Sequence, residues 1–164
     1  MQRSDLSDEV LAAALQGLGR EYVTGQDANL LRSIFPRLTG QRAQSAVLSS
    51  LANLGGTENV QWLTGLVRND KLAPEVRRRA LEHLVRAGVL PQTLVSLYDP
   101  IPDTQLREYL ISVYSRLSDK TTTDKLLWIA KNEQNQQLRR RAISALSRNS
   151  DPGVRQAMAD IVER

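Results

Sequence analysis

At 164 residues the chain is long enough to bury a core without a covalent staple, and with no cysteine it has no disulfide, thiolate metal site or thiol nucleophile. The start MQRSDLSDEV carries no apolar signal core, and the longest apolar runs fall far below the ~18 residues that cross a bilayer; a soluble protein without membrane insertion is expected, cytoplasmic by default. The net charge of +4 divides as −1 over residues 1–66 and +5 over residues 67–164, which favours an acidic partner, while 4% aromatic content leaves little for stacking on bases.

In chain order the apolar residues recur with a period near 32, the mark of stacked helical units. The first unit spans about 6–38. Val10, Ala14, Leu15 and Leu18 form the inward stripe of one helix, and Leu31, Ile34 and Phe35 that of a second. Gly17, Gly19 and Gly25 give this pair a longer loop and the look of a cap. The second pair, 41–69, repeats the stripes as Ala43, Val47, Leu48, Leu51 and then Leu63, Leu66, Val67, with Gly40 before it and Gly55 and Gly56 at its turn. In the third, 73–99, they are Val76, Ala80, Leu81, Leu84 and Leu94, Leu97, Tyr98, with Pro74 and Pro91 in first helical turns, where a missing N–H costs little. The fourth, 103–132, has Leu106, Leu110, Ile111, Tyr114 and Leu126, Ile129, Ala130; the fifth, 135–163, has Leu138, Ala142, Ile143, Leu146 and Met158, Ile161, Val162. Ser118 with Asp119, and Ser150 through Pro152, punctuate the last two turns. The second-helix column steps by 32, 31, 32 and 32, the first-helix column by 33, 33, 30 and 32, and no long linker intervenes. One domain over 1–164 is expected.

EVRRRALEHL at 75–84 and QLRRRAISAL at 137–146 share the pattern ΦRxxAΦxxL, and SDPGV at 150–154 supplies a short turn before a second helix. These segments resemble the short bacterial HEAT-like repeat, also called the phycobilin-lyase-type HEAT repeat, over nearly the whole chain. The resemblance implies an all-α, right-handed α-solenoid of about five antiparallel helix pairs. The drift in period and the missing tryptophan, glycine and proline signposts set it apart from tetratricopeptide repeats, and ankyrin's Thr-Pro-Leu-His is absent.

His83 is the only histidine, so a His-based zinc or di-iron site or a Ser-His-Asp triad cannot be assembled. His83 sits between core columns and reads as a packed or half-exposed residue. HEAT-like deoxyhypusine hydroxylases need paired His-Glu ligands that this chain lacks. HEAT-like alkylpurine DNA glycosylases use Trp and Asp on a cationic concave face, and Asp124 and Trp128 stand one helical turn apart, but in the reverse order. No catalytic residue, metal or cofactor is expected, and the chain does not read as an enzyme.

The resemblance also implies an arginine ladder between repeats: Arg77 with Asp70, Arg107 with Asp99 or Asp103, and Arg139 with Glu133. It implies too that the second helices line the concave, partner-binding face. Their positions away from the core columns read Asn29, Ser33, Pro36; Gln61, Gly65, Arg68; Gln92, Ser96, Asp99; Asp124, Trp128, Lys131; and Gln156, Asp160, Glu163. The candidate partner-binding set is Gln61, Trp62, Arg68, Gln92, Ser96, Asp124, Lys125, Trp128 and Lys131. Trp128, with Asp124, Lys125 and Lys131 as helical neighbours, reads either as an exposed interaction anchor or as a ring folded over Lys125 or wedged between adjacent second helices, and Trp62 lies one residue off the stripe, nearer the core. The expected function is a non-enzymatic scaffold or adaptor binding an unknown, acidic protein; the alternative is nucleic acid or another polyanion on the basic C-terminal half. The last pair keeps its inward columns to the end, so a monomer or a fragment of a larger protein is expected.

Overall fold

The computed structural model describes residues 8–18 and 25–162. Among them it is all-helical, with no strand. The elements are α1 (Asp8–Leu18), α2 (Gly25–Ile34) with a 3-10 turn (Phe35–Arg37), α3 (Gln41–Leu54), α4 (Thr57–Arg68), α5 (Pro74–Arg86), α6 (Pro91–Val95), α7 (Thr104–Leu117), α8 (Lys120–Asn132), α9 (Gln136–Leu146) and α10 (Pro152–Val162). Their order and bounds follow the ten helices expected from periodicity, with one clear difference. α6 lasts five residues instead of running to Asp99. Its last turn tightens into i→i+3 bonds from Leu97 N–H to Leu94 O and from Tyr98 N–H to Val95 O. Pro100 then disfavours helix at Asp99, and the chain leaves.

The helices cluster into two compact units, Met1–Gly88 and Val89–Arg164. In the first, α3 packs between α1 and α5, while α4 lies on α3 and α5. Leu15, Leu31, Val47, Leu48, Leu51, Leu63, Val67, Leu81 and Leu84 are its buried leucine and valine core. In the second, α7 packs on α9, and α8 contacts α6, α7, α9 and α10. Leu94, Leu97, Tyr98, Leu106, Leu110, Ile111, Tyr114, Leu126, Ile129, Leu138 and Leu146 are buried there. Burying one such leucine contributes about 1.5–3 kcal/mol, so the columns are the main source of stability.

Not every column residue is buried. Val10 is 52% exposed and Ala14 is exposed, because α1 packs chiefly on α3 and the far edge of its stripe meets solvent. Met158 and Ile161 on α10 are half-buried. The side chains of Leu18 and Val162 and the whole of Glu163 lie outside the described residues, as does Gly19. Ile101, Val113, Ala46 and Thr122 are buried without belonging to any column.

Four of the five described helix starts in the second unit share one device; α6, which opens on Pro91, has no side-chain cap. Asp103, Asp119, Asn135 and Asp151 stand sixteen residues apart, half the repeat. Each side chain accepts from the two backbone N–H groups that follow by two and three residues: Gln105 and Leu106, Thr121 and Thr122, Gln137 and Leu138, Gly153 and Val154. These are donors a helix cannot satisfy internally. The first unit achieves this for α3 across space. The Asp8 carboxylate of α1 accepts from Arg42 N–H at 3.0 Å and Ala43 N–H at 3.1 Å. A Cβ at position 40 would overlap that carboxylate, so the close approach requires Gly40.

Candidate interaction site

The expected second-helix stripe is exposed throughout its described length: Asn29, Ser33, Pro36, Gln61, Gly65, Arg68, Gln92, Ser96, Asp99, Asp124, Trp128, Lys131, Gln156 and Asp160. Helical geometry is the reason, since these positions lie opposite the buried columns. Gln61, Trp62 and Arg68 belong to the first unit and the other candidates to the second. Trp62 is half-buried and puts its ring edge-to-face with Phe35, centroids 5.2 Å apart at 86°. An aromatic pair of this kind contributes roughly 0.5–1.5 kcal/mol beyond area burial. Trp62 therefore ties α4 to the turn after α2.

Around α8 the structure assembles a group of which the sequence suggests only the Trp128–Lys125 contact. Lys125 is 10% exposed; its Nζ bonds both Asp99 carboxylate oxygens, at 2.7 and 2.9 Å. The same ammonium lies 4.2 Å from the Trp128 ring centroid and 5.2 Å from that of Tyr98. Lys125 is thus a clamp between two aromatic faces, its charge neutralised by Asp99, and not a free ligand-binding cation. Behind it Tyr98 donates to Glu133 Oε2 at 2.9 Å, and Arg107 lies over the other part of the network, 5.0 Å from the Tyr98 centroid. Burial and then the Glu133 hydrogen bond push the Tyr98 hydroxyl far above its ordinary pKa. Burial would raise the Glu133 carboxyl, but bonds from Asn135 N–H and Tyr98 and the charge of Arg107 outweigh it and hold it below the usual range.

The arginine pairings differ from those expected. Arg77 is buried, and its Nε donates to the Val67 carbonyl at 2.9 Å, not to Asp70. Arg107 donates to the main-chain carbonyls of Ile101 at 2.6 Å and Asp99 at 3.2 Å, and its carboxylate partner is Glu133 at 3.5 Å. Since Glu133 faces Tyr98 and Arg107, it does not serve Arg139, which is exposed. The reason is common to Arg77 and Arg107: each reaches back to carbonyls left open at the end of the preceding segment, and those lie closer than the turn carboxylates.

Trp128, 47% exposed, stands at the lip of an open groove of about 720 Å³ between α8 and α10. Leu127, Ala157 and Ile161 supply apolar surface, with Lys131, Asn132 and Asp160 around them. Asn132 donates to the Trp128 carbonyl at 2.8 Å, closing the end of α8. On α8 Lys120 pairs with Asp124 at 2.8 Å. α7 and α9 carry Arg107, Arg116, Arg139, Arg140 and Arg141 against Glu108 alone.

His83 is half-buried, its Nε2 3.3 Å from Ser45 Oγ. Burial first, and then Arg86, lowers its pKa below the ordinary value. Among the described residues no group of three or more His, Asp or Glu side chains is placed to hold a metal ion, and no helix is long and apolar enough to cross a membrane. Compared with protein-family models and with curated proteins, the chain matches none.

Proposed function

We propose that this protein is a non-enzymatic interaction module, a superhelical array of about five HEAT-like helix pairs whose second helices present the binding face to a protein partner. The recurrence of paired helices at a 30–33-residue step supports the array. The observation that carries the functional reading is Trp128. A large aromatic left 47% exposed, packed against Lys125 and bordering a groove with apolar lining, has the character of an interface anchor. The groove offers a partner apolar surface from Leu127, Ala157 and Ile161, with polar contacts from Lys131, Asn132 and Asp160 around it.

The test is a quantitative pull-down with wild type, Trp128→Ala and Arg139→Ala, followed by affinity measurement for any partner retained. Losing a hot-spot tryptophan costs about 2 kcal/mol or more, roughly thirtyfold in Kd. Wild type and Arg139→Ala should hold the same partner, and Trp128→Ala should release it. A partner bound equally by Trp128→Ala would defeat the proposal.

A further inference from the structure

We propose that the groove between α7 and α9 binds a small phosphate-bearing molecule. It is a separate site from the Trp128 groove and stands or falls independently of the reading given for it. Its volume is about 380 Å³, within the range of small-ligand sites. α7 lends it Ser112, Ser115 and Arg116; α9 lends Arg141 and Ser144, and Arg148 follows just beyond. A second cavity of about 230 Å³ beside the α7–α8 turn shares Ser115, Arg116 and Arg148. With Ala145, these residues line both.

Three guanidinium groups converge there with little to neutralise them. Arg141 pairs with Glu108 at 3.0 Å. Among the described residues neither Arg116 nor Arg148 has a carboxylate within ion-pair distance, and the hydroxyls of Ser115 and Ser144 have no protein hydrogen-bond partner. Like charges gathered on one wall repel, and an anion seated between them turns that repulsion into attraction. A carboxylate carries a single negative charge on two acceptor oxygens. A phosphate monoester carries close to two negative charges and three acceptor oxygens, so it can take forks from Arg116 and Arg148 together with serine hydroxyls. That donor set and the compact volume select a phosphorylated small molecule.

Isothermal titration of the full chain with inorganic pyrophosphate at low salt tests the site. Saturable one-to-one binding is expected, weakened about tenfold or more by Arg116→Gln and by Arg148→Gln, the size of one lost charge-assisted bond. Arg140→Gln, exposed on the same helix but not lining the groove, should change it less than about twofold. No saturable binding by about 10 mM, or equal losses from all three variants, overturns the proposal. A parallel titration with a dT12 oligonucleotide separates the remaining case. If the oligonucleotide binds and depends on Arg139 and Arg140 as strongly as on Arg116 and Arg148, the surface is a diffuse polyanion face and the compact site is overturned.

Discussion

Replacing Tyr98 by Phe removes one hydroxyl from the interior and leaves the ring, its packing and the Lys125 contact in place. The hydroxyl donates to Glu133 Oε2 at 2.9 Å; Tyr98 is 1% exposed and the Glu133 side chain 10% exposed, so water does not readily substitute. A hydrogen bond to a charged acceptor contributes about 1.5–3 kcal/mol. Glu133 keeps Asn135 N–H at 3.0 Å on its other oxygen and Arg107 at 3.5 Å on the same one, which argues for the lower half of that range. We expect Tyr98→Phe to destabilise by ~2 kcal/mol in urea unfolding at pH 7. The acid behaviour follows from the lowered Glu133 pKa. A carboxyl depressed in the folded state contributes stability above its unfolded value, near 4.3, and that stability is lost as pH falls through the folded value. Without the Tyr98 donor the depression is smaller, so the gap between wild type and Tyr98→Phe should shrink in acid. In a Glu133→Gln background the acceptor is neutral and the cost of Tyr98→Phe should drop to ~1 kcal/mol. A loss under about 0.5 kcal/mol at pH 7, or one that is the same in acid and in the Glu133→Gln background, would refute the charge-assisted network.

Asp119→Ala should cost about 1–2 kcal/mol by chemical denaturation, since it uncaps α8 and removes the 2.7 Å bond from the buried Thr122 hydroxyl. Burial raises the Asp119 carboxyl, but the Thr122 hydroxyl and the N–H groups of Thr122 and Thr121 outweigh it, so the contribution is present above an unfolded pKa near 3.9 and lost as pH falls through the lowered folded value. His83 should titrate below 6.5 in an NMR experiment, and its protonation favours the unfolded chain; the stability present above about pH 6.5 falls as pH drops toward the folded value, and His83→Gln should flatten that decline. Titration at or above 6.5 would show that burial does not govern this histidine.

Much of the local architecture is legible in the residues themselves. A stripe such as Ala43, Val47, Leu48 and Leu51 can face one way only if the segment is helical, and all four are buried on α3. The caps were equally readable: Asp103, Asp119, Asn135 and Asp151 recur at half the repeat, a signal that attention to apolar columns passes over. The exposed stripe followed too, because residues opposite a buried column have nowhere else to point. The end of α6 was less readable, since Leu97 and Tyr98 keep their column and stay buried after helical bonding has given way before Pro100.

What the sequence by itself determined is therefore periodic: helix positions and the inward face of each. Partner choice among charged side chains belonged to the tertiary structure. Arg107 meets Glu133, 26 residues on, because the end of α8 comes back beside the start of α7, and Lys125 is drawn between Tyr98 and Trp128 because Asp99 waits there. Apolar burial depends on which side of a helix a residue occupies, a property of local spacing. An ion pair depends on the last few ångströms between flexible side chains from distant segments, and those distances exist only once the core has packed.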